Sequence, residues 1–203
     1  MTRRQWLATL GTAPMAGGFA AWAQTPSRRV GPTLSPRERI QQHHLPNLPL
    51  IAHTGQRVRF YDDLVKGKKV ILNFMYVRCQ GICMPVTMNL VRVQKMLVER
   101  VGREIFIYST TLKPHEDSAD DLRGYAEEHG VGEGWLFLTG APADIEHLRR
   151  SLGFVYPDPV EDADTTNHIG MLRYGVEPRL RWGACPGMAN PEHIRRSITW
   201  DFA

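Results

Sequence analysis

The chain has 203 residues, 42% of them hydrophobic, enough for one domain with a substantial core. Its formal charge is +4, and Arg3 and Arg4 supply about half of that, so the remainder is too small to argue for nucleic acid as a partner. There are three cysteines, an odd number that argues against a purely structural disulfide framework in an oxidising compartment.

Thr2-Arg3-Arg4-Gln5-Trp6-Leu7 places two arginines before a weakly apolar stretch that runs to Ala23 and ends in Ala21-Trp22-Ala23, a small-x-small pattern. Residues 1–23 therefore resemble a twin-arginine export signal, cleaved before Gln24, which sends the domain to the periplasm. If the signal stays in place it anchors the chain in the membrane. Residues 24–45 carry prolines, arginines and Gln41-Gln42-His43-His44 without apolar periodicity, so they are expected to form a flexible linker ahead of a domain over 46–203.

Leu48–Ala52 and Val58–Tyr61 predict a β-hairpin across His53-Thr54-Gly55-Gln56, and Val70–Tyr76 a buried strand. Val86, Leu90, Val93 and Leu97 share one helical face, which predicts a helix from Pro85 that stops at Gly102. Ile105–Tyr108 and Trp135–Leu138 predict two more central strands. Between them, Ser118 and Asp121 form a candidate capping box for a helix that reaches His129. Ile145, Leu148 and Leu152 mark the next helix. A late strand pair, Ile169–Tyr174 and Arg179–Trp182, is expected to turn at Gly175, and Asn190 to cap a final helix with Pro191 in its first turn. The alternation predicts an α/β fold with a mixed sheet flanked by helices.

Cys79 and Cys83 stand where the buried strand gives way to the helix, in Cys79-Gln80-Gly81-Ile82-Cys83-Met84-Pro85. Thiols at the start of a helix face unpaired backbone N–H groups and the positive end of the dipole, which favour thiolate. Two cysteines this close can form a disulfide or converge on one metal ion, so the motif permits both redox and soft-metal chemistry.

This C-x-x-x-C, the upstream hairpin with Asp63-Leu-x-x-Gly-Lys68, and a lone histidine before the late strand together resemble the Sco/SenC family. The resemblance spans roughly Leu48 to Trp200. It implies a thioredoxin-like fold and a copper metallochaperone that assists assembly of a cytochrome oxidase copper centre. It also implies Cys79, Cys83 and His168 as ligands of one copper ion, Cu(I) or Cu(II). The implied partners are an apo cytochrome oxidase subunit or another copper protein, and a copper donor chaperone, with membrane contact only through a partner or an uncleaved signal. The chain departs from the family pattern at Met84, which separates Cys83 from Pro85, at Asn167 before His168, and at Lys113 in Lys113-Pro114-His115-Glu116-Asp117.

The alternative reading makes Cys79 and Cys83 the redox-active thiols of a thiol-disulfide oxidoreductase that reduces an exported apo-protein. Thiol peroxidase fits less well, because Tyr76 stands where a threonine is usual, and structural zinc lacks a fourth ligand. Cys185 is expected in a loop, outside the ligand set. Met75, Met84, Met88, Met96 and Met171 are read as core filling. Arg149-Arg150 and Arg195-Arg196 are read as solvated helix faces, and His43-His44 as a weak candidate for metal capture.

Overall fold

The Ser35 hydroxyl accepts the Glu38 N–H while the Glu38 carboxylate accepts the Ser35 N–H, and this reciprocal cap starts α1 (Pro36–His44). The structure, a computed structural model, describes residues 34–164 and 170–201. The linker expected to run to residue 45 is thus helical from Pro36. No residue of α1 is buried, which explains why apolar periodicity did not reveal it. The helix is tied down by polar contacts: Arg37 pairs with the buried Glu177 carboxylate, which also accepts the Tyr61 hydroxyl at 3.0 Å and the Gly67 N–H at 2.8 Å.

The chain continues through β1 (Pro49–Ala52), β2 (Arg57–Arg59), a π-helical turn (Phe60–Val65) and β3 (Lys69–Met75). After α2 (Cys83–Met96) come β4 (Ile105–Thr111), α3 (Ala119–Glu128), β5 (Trp135–Gly140), α4 (Pro142–Ser151) and a short α5 (Pro159–Ala163). The last elements are β6 (Met171–Val176), a 3-10 turn (Glu177–Arg179), β7 (Arg181–Pro186) and α6 (Pro191–Asp201), whose first N–H groups meet Asn190 as expected. The strands form one mixed sheet in the order β2-β1-β5-β4-β3-β6-β7. β3, β4 and β5 are parallel; β1 and β6 join them antiparallel from either side.

Two successive crossovers, β3-α2-β4 and β4-α3-β5, move in one direction across the sheet, so a common handedness leaves α2 and α3 on one face. Accordingly, the Tyr125 hydroxyl of α3 donates to Thr87 of α2 at 3.0 Å. β3 is buried from Val70 to Met75, the continuous apolar pattern of a strand covered on both faces. Its one buried polar residue, Asn73, is satisfied: Trp135 donates to Ser109 at 2.9 Å, and Ser109 donates to Asn73 at 2.6 Å.

The late hairpin turns at Glu177–Leu180 and not at Gly175. Gly175 lies within β6 opposite Trp182, and a Cβ there would meet the indole at 2.3 Å, so this glycine makes room for a ring. Cys185 also differs from expectation, since it is a buried residue of β7 opposite Leu172 and not part of a loop.

Arg149 is buried and not solvated. Its guanidinium holds the equally buried Asp162 of α5 in two bonds of 2.7 and 2.9 Å, and also donates to the Phe154 carbonyl at 2.7 Å. Asp162 in turn accepts the Tyr156 N–H at 2.9 Å, so one fork fixes the segment that leads toward residue 165. Arg195 and Arg196 share Glu192 on the surface of α6, as a solvated face should. Removing one member of a buried ion pair costs about 3 kcal/mol or more, so Asp162→Ala should lower the urea midpoint of unfolding markedly at pH 7. The Arg149 hydrogen bonds hold the Asp162 carboxyl well below the usual carboxylate range. Its contribution is therefore complete above the ordinary aspartate value near 4 and is lost as pH falls below it. Urea titrations should show the gap between wild type and variant narrowing only below about pH 4.

Candidate functional site

β3 delivers the chain to the site at its C-terminal end, where ligands gather in open parallel sheets. Met75 still accepts the Leu112 N–H at 2.8 Å, but the next residues leave the sheet. The turn is held from beneath by Asp117, a buried carboxylate that accepts the Val77 N–H at 3.1 Å and the Thr111 hydroxyl. Burial pushes the Asp117 carboxyl up, partly offset by those two donors.

α2 begins at Cys83, two residues before the expected start. Pro85 falls in the first turn, where backbone N–H groups have no partner within the helix, so its missing N–H costs nothing there. Met84 between Cys83 and Pro85 thereby places Cys83 itself at the helix start.

Cys79 is half-buried, Cys83 is buried, and the two are not joined in a disulfide. Burial alone would push the Cys79 thiol up. It is outweighed by hydrogen bonds to the Cys79 sulfur from the Cys83 thiol, the Cys83 and Gly81 backbone N–H groups and the Tyr76 hydroxyl, so Cys79 titrates below the ordinary thiol range. Cys83 moves the opposite way, raised by burial and by its hydrogen bond to Cys79. The helix-start donors thus stabilise the charge on Cys79, the cysteine outside the helix. Cys185 is pushed up to about 11 by burial and takes no part in this cluster.

Tyr76 is a site residue that sequence reasoning passed over, noticed only as the absence of a threonine. Burial and the Cys79 interaction push its hydroxyl up to about 12, and the Lys113 ammonium lies 4.6 Å from its ring centre. Asp117 was noticed only as part of a pattern; its role is legible once Val77 and Thr111 are brought around it.

His168 lies outside the described residues, which exclude 165–169. One flank of that segment touches the cysteine turn and the other acts on it through charge. On one side, Asp164 adds its charge to the surroundings of Tyr76. On the other, Gly170 lies against Ile82, so closely that a Cβ on Gly170 would come within 2.6 Å of the Ile82 side chain. The Gly170 carbonyl accepts the Gly187 N–H at 2.7 Å, and Gly187 abuts Val86 of α2. Among the described residues no three His, Cys, Asp or Glu side chains gather as a metal site. His43 and His44 are exposed on the last turn of α1, apart from the thiols in sequence and without a third donor among those residues.

Residues 37–176 match the SCO1/SenC family. The chain belongs to that family. The matched span opens in α1, closes at the end of β6, and contains both cysteines and the position of His168. A SCO1 protein homolog of Bacillus subtilis (strain 168) is 30% identical over 88 residues, 42% of this chain and 45% of that relative, so the match spans less than half the relative's length. Among solved structures, a SCO1/SenC family lipoprotein from Bacillus anthracis is 21% identical with a TM-score of 0.63, covering 77% of this chain and 93% of that one. Arabidopsis thaliana ScoI, solved with copper bound, is 18% identical with a TM-score of 0.59, covering 76% and 95%. These likenesses show the thioredoxin-like SCO1/SenC fold, here a seven-stranded mixed sheet flanked by helices. Among the described residues no helix is long and apolar enough to cross a membrane.

Because Cys79 is the more acidic and more accessible thiol, iodoacetamide at neutral pH should alkylate it first, with Cys83 and Cys185 protected until the chain unfolds. The pH profile of that reaction should lie below the value of about 8.5 of an ordinary thiol, and Tyr76→Phe, which removes one donor, should move it upward. Equal rates at Cys79 and Cys83, measured by peptide mass mapping, would contradict the arrangement.

Proposed function

We propose that this SCO1/SenC protein is a periplasmic copper metallochaperone: it carries one copper ion on Cys79, Cys83 and His168 and passes it to an apo cytochrome oxidase subunit or another copper protein. The observation that carries this reading is the pair of hydrogen-bonded thiols at the start of α2, with Gly170, two residues after His168, packed against Ile82 of their turn. Two thiolates select a soft ion such as Cu(I), and a neutral imidazole adds a donor that also suits Cu(II). Gly170 rests on Ile82, and only two peptide units, about 7 Å of chain, separate it from His168. The copper seen on the Arabidopsis relative supports the choice of metal. The Arg3-Arg4 signal supports export, after folding if the twin-arginine route is used.

The copper is cargo here, so the site must release it as well as hold it. Cys79 is half-buried while Cys83 is enclosed, which leaves one ligand open to an incoming donor from a partner. Ligand exchange can then begin at Cys79 and finish at Cys83. A second reading, thiol-disulfide exchange with an exported apo-protein, is favoured by the same asymmetry, because an accessible acidic thiol backed by a buried one is the order needed for attack and resolution.

Addition of one equivalent of Cu(II) should produce a sulfur-to-copper charge-transfer band, lost in Cys79→Ser and Cys83→Ser and shifted or weakened in His168→Ala. An unchanged band in His168→Ala would remove the histidine from the site. No band at all, together with rapid reduction of a partner disulfide, would favour exchange over metal carriage.

A further inference from the structure

Six methionines fall among the described residues, and the expectation of core filling, made for all of them but Met188, holds for only part. Met75 is fully buried and Met171 half-buried, but Met84, Met88, Met96 and Met188 are 56, 38, 49 and 53% exposed. Met84 and Met88 are four residues apart on α2, so they are neighbours on one strip of its surface. Side chains on a helix lean toward its N-terminus, so the two belong to the strip that leads back toward the helix start, where Met84 directly follows Cys83. Two soft, neutral sulfur donors thus stand exposed on the turns of α2 that adjoin the thiol pair. Arg92 and Lys95 continue the same exposed strip and supply no oxygen ligands of the kind a hard divalent cation takes.

We propose that Met84 and Met88 form an entry site for Cu(I), distinct from the thiol site and feeding it; this rests on the reading of Cys79 and Cys83 as copper ligands. The ion arrives from a donor as Cu(I), is held by the two thioethers, and exchanges them one at a time for the Cys79 and Cys83 sulfurs. The copper stays cuprous throughout. The thioethers leave as neutral donors, and any proton displaced from a cysteine thiol passes to water. Thioethers bind Cu(I) without deprotonation, so capture at this site needs no proton release and transfer to thiolate is downhill.

The test uses the full chain under anaerobic conditions, with Cu(I) supplied as its acetonitrile complex and Ag(I) as a second soft probe. Methionine is replaced by leucine, which keeps volume and helix preference at an exposed position. In the Cys79→Ser, Cys83→Ser double variant, Ag(I) should shift the methyl NMR signals of Met84 and Met88 while Met96, equally exposed one turn or more away, stays fixed. With the cysteines intact, Met84→Leu with Met88→Leu should leave the one tight equivalent of Cu(I) in place but slow its loading by about tenfold or more, the loss of a locally concentrated ion; Met96→Leu should do neither. Unshifted Met84 and Met88 signals, or an unchanged loading rate, would overturn the entry site while leaving the thiol site standing. Loss of the tight equivalent from the wild-type chain would instead overturn the copper reading of the cysteines, a result recorded separately in the same titration.

Discussion

The Cys79 sulfur accepts hydrogen bonds from a phenol, a thiol and two backbone N–H groups, and these donors come from three parts of the scaffold. Tyr76 comes from the end of β3, whose buried run from Val70 to Met75 is held between β4 and β6. The Gly81 N–H belongs to the turn, and the Cys83 N–H to the open first turn of α2. Asp117 fixes where the turn leaves the sheet by holding Val77. Gly170 and Gly187 let the backbone approach the start of α2 closely, with Ile82 and Val86 packed over them.

That convergence divides the labour between the two cysteines. Charge concentrates on Cys79, which keeps contact with solvent, while Cys83 is held as a buried thiol that surrenders its proton only when something replaces it. A soft cation is such a replacement, and so is the second sulfur of a disulfide; the same geometry serves both members of the chemistry that the cysteine spacing permits. The described residues on either side of 165–169 are held by the Arg149–Asp162 fork and by the Gly187 N–H on the Gly170 carbonyl.

Much of this was legible in the chain. The parallel strands announced themselves as short apolar runs because they are buried on both faces, and the Ser118–Asp121 and Asn190 caps are local signals that need no tertiary context. The cysteine pair was legible because its place between strand and helix is itself a sequence pattern. The misreadings share a cause, since each residue takes its meaning from a distant partner. Arg149 looked solvated because its partner Asp162 sits on a five-residue helix too short to show a period. α1 looked like linker because it is held by an ion pair to Glu177, 140 residues on, although Ser35-Pro36 and Glu38 carried a readable cap. Gly175 looked like a turn because a glycine required by the Trp182 ring cannot be told apart, in sequence, from one required by backbone conformation. The methionines of α2 looked like core because methionine usually fills cores at helix positions, yet Met84, Met88 and Met96 lie off the buried face of Val86, Leu90, Val93 and Leu97.

The central claim is that Cys79 and Cys83 close on one copper ion together with an imidazole. Copper K-edge X-ray absorption of the chain carrying a single equivalent of Cu(I) tests it most directly. The account predicts a first shell of two sulfur scatterers and one nitrogen whose multiple scattering identifies a histidine ring, with that ring signature absent in His168→Ala. A first shell of nitrogen and oxygen alone, or one that is the same in His168→Ala, would contradict it.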